Sequence, residues 1–481
     1  MSKYDKYEIV VGLEVHAQLS TDSKMYTSDS AAFGASPNSN ISPLTLGHPG
    51  TLPYVNFEAI DSAIKMGLAT DCDITENNRF ARKNYFYADL PKGYQITQDK
   101  TPICTTGHID IGNDNKVKRI GITRIHLEED AGKSTHDLDP YNSLIDLNRA
   151  GVPLIEIVSE PDLRSAEEAY AYLVEVRKLL RYLEICDGNM EEGSMRCDAN
   201  ISVRIKGIKE LGERCEVKNM NSMKNVMRAI EFEARRQIDL IEDGQRIEQQ
   251  TRSFNAADGS TFTLRSKENA HDYRFFPEPD LPPFIVNKEK VKSIQEEMPQ
   301  LSKELFDLFT KELGLSVYDA NIISEDKYFA IYFQDILKNT SDAKAAANWL
   351  IGPVKSFLNE QAIDIKAFPI KTTQIAEIIK LIKEGKLNFA SASSKLFPAL
   401  LEDPAANVLD LATRLNIIQN SDLGEIEKIV DEVLAENITK VQEYKDGKKG
   451  LMGMFMGQIM KKSGGKADPK IANQLLTEKL K

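Results

Sequence analysis

The stretch Glu8-Ile9-Val10-Val11-Gly12-Leu13-Glu14-Val15-His16-Ala17-Gln18-Leu19 alternates with a period of two. Successive side chains of a strand point to opposite faces, so Ile9, Val11, Leu13, Val15, Ala17 and Leu19 share one face and Glu14, His16 and Gln18 share the other. The apolar face belongs to a core. The other carries a carboxylate and an imidazole two residues apart, close enough to point at one ion. An ordinary solvated sheet face would show the same pattern, so the rest of the chain has to decide between the two.

Short alternating runs separated by Gly, Pro, Asn and Asp continue to about Pro283, the pattern of a strand-rich domain. Ile120 to Asp130 predicts a strand with Arg124, His126, Glu128 and Asp130 on one face and Glu129 on the other, unless a bulge intervenes. Met195 to Val203 predicts another, with Arg196, Asp198, Asn200 and Ser202 opposite Cys197, Ala199, Ile201 and Val203. Asp198 and Asn200 offer the hard oxygen ligands that magnesium prefers. Glu156 lies inside Leu154-Ile155-Glu156-Ile157-Val158, a run apolar on both faces. A carboxylate buried there needs a cation or strong hydrogen bonds, and Arg149 is a structural candidate for that partner.

Two helical stretches interrupt the strands: Ser165 to Leu183, with Ala169, Leu173, Val176 and Leu180 at helical spacing, and Asn225 to Glu242, with Val226, Ala229, Ile230 and Ile238. The segment Phe276-Pro277-Glu278-Pro279-Asp280-Leu281-Pro282-Pro283 can neither continue a helix nor sit inside a sheet, and marks a domain edge. Helical periods follow from about Val291, with a second break at Glu402-Asp403-Pro404. A chain of 481 residues favours two or three domains; the expected division is 1–287, 288–404 and 405–481.

With 41% hydrophobic and 28% charged residues the composition is that of a globular protein. The polar start Met1 to Lys6, with no apolar targeting stretch and no segment long enough to span a bilayer, predicts a cytoplasmic protein. Five cysteines, odd in number and never spaced as Cys-x-x-Cys, argue against a disulfide framework and a structural zinc site. The net charge of −12 would repel nucleic acid if spread evenly, but Lys440 to Lys481 holds ten Lys against four Asp or Glu, a local 10 − 4 = +6. Within it Lys448, Lys449, Lys461 and Lys462 flank the Met-rich Leu451 to Gly457, whose methionines at helical spacing read as packing.

Ala131-Gly132-Lys133-Ser134 is similar to the end of a phosphate-binding loop, but the motif's first glycine would fall at Leu127 and no helix pattern follows, so a P-loop is excluded. Four strands offering Asp, Glu or His, with Arg82, Lys83, Arg149 and Arg274 in the same domain, suit phosphoryl transfer, where acids hold a metal and bases neutralise phosphate. A metal-dependent hydrolase would use the same ligands to activate water.

Beyond these patterns the chain resembles the B-subunit family of the tRNA-dependent amidotransferases, which convert Glu-tRNA(Gln) to Gln-tRNA(Gln) or Asp-tRNA(Asn) to Asn-tRNA(Asn). The resemblance rests on Val11 to His16, Arg82-Lys83-Asn84-Tyr85-Phe86-Tyr87, Leu127 to Ser134, Asp146 to Pro161, Met190 to Asn200 and Asp272 to Asp280, and spans essentially the whole chain. It implies an α+β architecture: a cradle domain on a mainly antiparallel sheet similar to the glutamine synthetase catalytic fold, then a helical domain, then a helical tail. It implies ATP and Mg2+, with Glu14, His16, Glu128, Glu129, Glu156 and Asp198 as metal ligands. Of these, Glu128, Glu129 and Glu156 act in catalysis, and Lys83, Asn148, Arg149, Asn200 and Arg274 contact the nucleotide. The implied partners are an amidase (the A component) supplying ammonia, a small C component, and misacylated tRNA(Gln) or tRNA(Asn) held by the tail lysines.

Overall fold

The computed structural model describes residues 3–112, 117–136, 138–266, 273–419, 423–464 and 467–480. Asp272 of the last motif, and Lys466 and Lys481 of the basic tail, lie outside the described residues. The chain divides into two compact units, Met1–Leu301 and Ser302–Lys481.

The first unit is built on one sheet of twelve strands. In chain order these are β1 (Tyr7–Gln18), β2 (Asp73–Ile74), β3 (Ala81–Asn84), β4 (Tyr94–Thr97), β5 (Cys104–Ile111), β6 (Lys118–Glu129), β7 (Pro153–Ser159), β8 (Met195–Ile205), β9 (Cys215–Met220), β10 (Gln250–Phe254), β11 (Thr261–Ser266) and β12 (Phe276–Pro277). Their spatial order is β11-β10-β9-β8-β1-β7-β6-β4-β3-β12, with β5 pairing with both β6 and β2. All pairs are antiparallel except β9 with β10.

The expected alternation of β1 is realised. Val11, Leu13, Val15 and Ala17 are buried in the main hydrophobic core, while Glu14, His16 and Gln18 are half-buried on the other face. Helices α1 (Phe57–Ala69), α2 (Ala166–Tyr182) and α3 (Met223–Glu242) contribute to that core and leave the polar face of the sheet open. The α2 and α3 boundaries follow their caps: Ser165 and Ser222 accept from the amides of Glu168 and Asn225, each at 3.2 Å, satisfying donors the first turn leaves unpaired. Helix α1 is not among the helices the sequence pattern predicts. Its polar positions Glu58, Asp61 and Lys65 recur at helical spacing opposite the buried Ala59, Ile60, Ala63, Ile64, Met66 and Gly67, so the amphipathic period is present in it as it is in α2. Gly67 is needed for close approach, since a Cβ there would lie 2.4 Å from Cys104 Sγ.

The proline-rich segment differs from its reading in one respect. Phe276–Pro277 forms β12 at the sheet edge against Arg82 and Ala81, a place where Pro leaves no ladder bond unmade. Strand pairing also continues past Pro283, as Phe284–Ile285 pairs with Asn77–Asn78. Helix α4 (Lys288–Glu297) buries Ile294, and Val291, Met298 and Leu301 pack beside it on the sheet domain's core. The first unit extends to Leu301.

The second unit is helical. Trp349 is buried against Phe389 and Phe397, with ring centroids 5.1 and 5.9 Å away. A helix ends at Glu402 and the next begins at Val408, on either side of the expected break. Helices α5 (Leu423–Glu436), α6 (Met452–Lys462) and α7 (Pro469–Lys479) share a core of Ile426, Val430, Val433, Phe455, Ile459 and Leu476. Met452, Met454, Met456 and Met460 pack on it. No described helix is long and apolar enough to cross a membrane.

Candidate active site

Four adjacent strands, β8, β1, β7 and β6, place their polar positions side by side on the open face. The register sets His16 opposite Glu156 and Glu156 opposite His126, a row across three strands. His16 Nε2 lies 3.1 Å from Glu156 Oε2, and His126 Nε2 lies 3.2 Å from Glu128 Oε1 and 3.7 Å from Glu156 Oε2. Glu128 also accepts from Thr97 Oγ1 at 2.9 Å and Gln95 Nε2 at 3.2 Å. Beside this row a second acidic group forms where Glu14 faces Asp198 across β1 and β8, with Glu216 of β9 next to them. Asn200 Nδ2 donates to Glu14 Oε1 at 2.8 Å, and Lys218 Nζ bridges Asp198 and Glu216, the latter at 2.8 Å.

The electrostatics follow from this crowding. Burial and the charges of Glu156, Glu216 and Asp198 raise the Glu14 pKa. Burial opposes charge on His16, yet Glu156, Asp198 and Glu128 overcome it and raise the imidazole to about 9. Glu128, despite its burial, is lowered to about 2 by Lys83 and His126. Glu156 is held well below the usual carboxylate range by His126 and His16, again against burial. A surplus of carboxylates has thus gathered protons and ammonium groups to offset its charge. Among the described residues two donor sets have one ligand atom from each residue within 4.8 Å of the others: His16, Glu128 and Glu156, and the all-oxygen Glu14, Asp198 and Glu216. The second suits magnesium by ligand hardness, and the first suits a divalent ion that tolerates one imidazole.

The cleft over these residues has two lobes, of about 410 and 660 Å³. His16, Lys83, Glu128, Asp198 and Lys218 line both, so the acidic row is the partition between them. Glu14, Glu156 and Asn200 line the smaller lobe, and Asp130, Arg196 and the Met190–Gly193 segment line the larger.

Other expected residues lie elsewhere. Glu129 points to the opposite face, where it is bonded by Lys92 Nζ and the Ile96 amide, because strand alternation holds without a bulge at 128–129. Arg149 does not partner Glu156; it donates to the Ala131 and Gly132 carbonyls at 2.9 and 2.7 Å and lies 3.7 Å from Asp130. Asn148 braces the 36–40 loop, accepting from the Asn40 amide and donating to Ser36 O. Arg274 is exposed at φ 45° and does not line either lobe; its carbonyl accepts from Asn84 Nδ2. The half-buried Arg82 holds the buried Glu278 rather than facing the cleft.

In the tail, the three-dimensional neighbours of the lysines revise the +6 count. Lys462 pairs with Glu432 and Glu436 of α5, Lys479 with Glu427 and Asp431, and Lys448 with Glu443. Lys449 lies 4.3 Å from the Tyr444 ring centroid, and Lys461 is exposed.

Three residues of the two side-chain groups carry no role that the sequence pattern assigns. His126 falls on the correct face of its strand, but spacing alone gives it no task. Glu216 and Lys218 carry the same signal as β1, since Cys215-Glu216-Val217-Lys218 alternates buried and half-buried positions.

The fold and the site define an α+β protein whose antiparallel sheet carries a carboxylate-histidine cluster suited to a divalent cation. Residues 9–292 match the family model described as the GatB/GatE catalytic domain, and residues 331–480 match that of the GatB domain. A Geobacter sulfurreducens protein, named as the B subunit of aspartyl/glutamyl-tRNA(Asn/Gln) amidotransferase, is 48% identical over 478 residues, covering 99% of both chains. Proteins of the same name from Nitratidesulfovibrio vulgaris and Chlorobium luteolum are each 46% identical, covering 98% and 99% of this chain and 99% of their own. The chain belongs to the GatB/GatE family.

Proposed function

We infer that this chain is the catalytic B subunit of an ATP-dependent tRNA amidotransferase, a ligase that forms a carbon-nitrogen bond on Glu-tRNA(Gln), Asp-tRNA(Asn) or both. The observation that carries the reading is that His16, Glu128 and Asp198, with Lys83 and Lys218, line both lobes of one cleft, with Glu156 beside them on the smaller lobe. A reaction in which a phosphoryl group passes from nucleotide to carboxylate needs two substrate sites meeting at one place. The full-length similarity to relatives named for this activity supports it independently.

The side-chain carboxylate of the amino acid on tRNA is a poor electrophile. Transfer of the γ-phosphoryl group to it breaks the bond from phosphorus to the bridging oxygen of ATP, forms one to the carboxylate oxygen, and releases ADP. Ammonia then adds at the carbonyl carbon, phosphate leaves with the electron pair of the broken bond, and the nitrogen loses a proton to leave the amide. Lys83, at the partition, neutralises phosphate, and Asn200 holds Glu14 in place. Glu14, His16, Glu128, Glu156 and Asp198 would hold magnesium, whose charge would lower the repulsion between the nucleotide phosphates and the acceptor carboxylate. Glu129, paired with Lys92 on the other face, is left out of this ligand set.

The proposal includes a glutamine-hydrolysing amidase (A) as ammonia source, a small third component (C), cytoplasmic location, and a tRNA-binding tail from about 405. The mainly antiparallel sheet with an acidic face is the feature that supports kinship with the glutamine synthetase catalytic fold.

The test is Glu156→Gln in the purified complex. Loss of the charge that holds His16 and His126 should lower amide formation at least about 100-fold, with affinity for misacylated tRNA unchanged. A protein that only grips tRNA and scaffolds the amidase would keep both, and that result would overturn the reading.

A further inference from the structure

Lys218 takes no part in the family motifs described above, yet its place is unusual. It lines both lobes of the cleft, as does Lys83, and the two enter from different strands, β9 and β3. An ammonium group has three N–H donors. Two are directed to Asp198 and Glu216, which fix the nitrogen on a side chain that is 29% exposed. Among the described residues no protein acceptor takes the third.

A group that touches both lobes can touch both the donor and the acceptor of a phosphoryl group; a group confined to one lobe can touch only one of them. Among the described residues only five line both lobes. His16, Glu128 and Asp198 are the acids and imidazole of the cation cluster, leaving two that carry fixed positive charge. Negative charge spreads over the three non-bridging oxygens of phosphorus during transfer, and cationic donors already in position stabilise it without reorganisation. Lys218 is held in position by its two carboxylates before substrate arrives.

We propose that Lys218 is a catalytic residue that donates to a non-bridging oxygen of the phosphoryl group in flight, acting with Lys83 from the opposite wall. This rests on the phosphoryl-transfer reading above and deepens it. In the step itself the bond from phosphorus to the ADP oxygen breaks while that to the carboxylate oxygen forms. Lys218 keeps its proton throughout and supplies only a hydrogen bond and charge. The alternative is that Lys218 merely balances Asp198 and Glu216.

The experiment compares Lys218→Ala, Lys218→Arg, Glu216→Gln and the double variant Lys218→Ala/Glu216→Gln in the amidotransferase complex, with misacylated tRNA and ammonium chloride. The expected result is a fall in kcat for ADP release of about 100- to 1,000-fold in Lys218→Ala, a KM for the tRNA within threefold, partial recovery in Lys218→Arg, and no recovery in the double variant. Recovery of the double variant to the level of Glu216→Gln would assign Lys218 to charge balance and overturn the proposal, as would an active Lys218→Ala. A wild-type measurement guards against variants that fail to fold: acetic anhydride labelling of Lys218 should be suppressed by ADP with aluminium fluoride more than by ADP alone. Equal labelling would overturn the proposal. If the wild-type complex releases no ADP in response to misacylated tRNA, the amidotransferase reading itself fails; if it does and Lys218→Ala matches it, only the role of Lys218 fails.

Discussion

Removing the Arg82 side chain should loosen the edge of the sheet that carries Tyr273 and Phe275 to the cleft. Arg82 Nε and Nη2 donate to the two oxygens of Glu278 at 2.7 and 2.8 Å, Nη2 reaches Asp280 at 3.0 Å, and the guanidinium lies 4.1 Å from the Tyr94 ring centroid. Glu278 is fully buried and Arg82 only 18% exposed at their side chains. Breaking a buried pair by removing one partner strands the other charge and costs about 3–5 kcal/mol, whereas replacing both by apolar groups is often near neutral. Arg82→Met should therefore lower the melting temperature of the first unit by roughly 6–10 °C, taking about 2 °C per kcal/mol for a unit of this size. The double variant Arg82→Met/Glu278→Leu should recover most of that loss. The one tryptophan, Trp349, lies in the second unit, so its fluorescence would follow the wrong transition. Hydrogen exchange at the Glu278 amide, bonded to Phe80 O at 2.9 Å, reads the right one. A single variant that costs under about 1 kcal/mol, or a double variant that equals the sum of the singles, would refute the argument.

Two more expectations can be checked directly. Lys24 is fully buried, its Nζ donating to Asn40 O at 2.7 Å, and burial lowers its pKa to about 8 against an ordinary 10.5. Below pH 8 it is charged in folded and unfolded chains alike; between 8 and 10.5 the unfolded chain binds more protons, so its contribution improves stability as pH rises, by up to roughly 3 kcal/mol. Chemical denaturation of Lys24→Met across that window should show a flatter profile, and an unchanged slope would refute the assignment. In the tail, Lys461→Gln should weaken tRNA binding and reduce its salt slope by up to about 0.9. Lys462→Gln should do so less, because two carboxylates already hold that ammonium; equal effects in a filter-binding salt series would contradict the pairing.

The polar face of β1 was legible from residue spacing because strand alternation is a local property: Glu14 and His16 must share a side wherever the strand lies. The same rule placed His126 and Glu128 together and Asp198 beside Asn200, but left Glu129 open to a bulge, and only the register of the folded strand puts it on the other side. The α2 and α3 helices were legible for a similar reason, since the spacing of apolar side chains is local, although α3 starts at Met223 rather than at the expected Asn225. Helix α1 carries the same kind of local period, with Glu58, Asp61 and Lys65 on one stripe, although it was not among the helices expected.

Strand order lies outside local pattern. Nothing along the chain states that β7 sits between β1 and β6, so nothing there could give Glu156 two histidines in place of Arg149. Only the long-range pairing of the sheet decided that, as it decided that Lys218 of β9 reaches the acids of β1 and β8, and that α5 brings carboxylates to the basic tail. The sequence by itself determined which side chains share a face; the tertiary structure determined which faces meet, because hydrogen-bonded register joins residues more than a hundred positions apart.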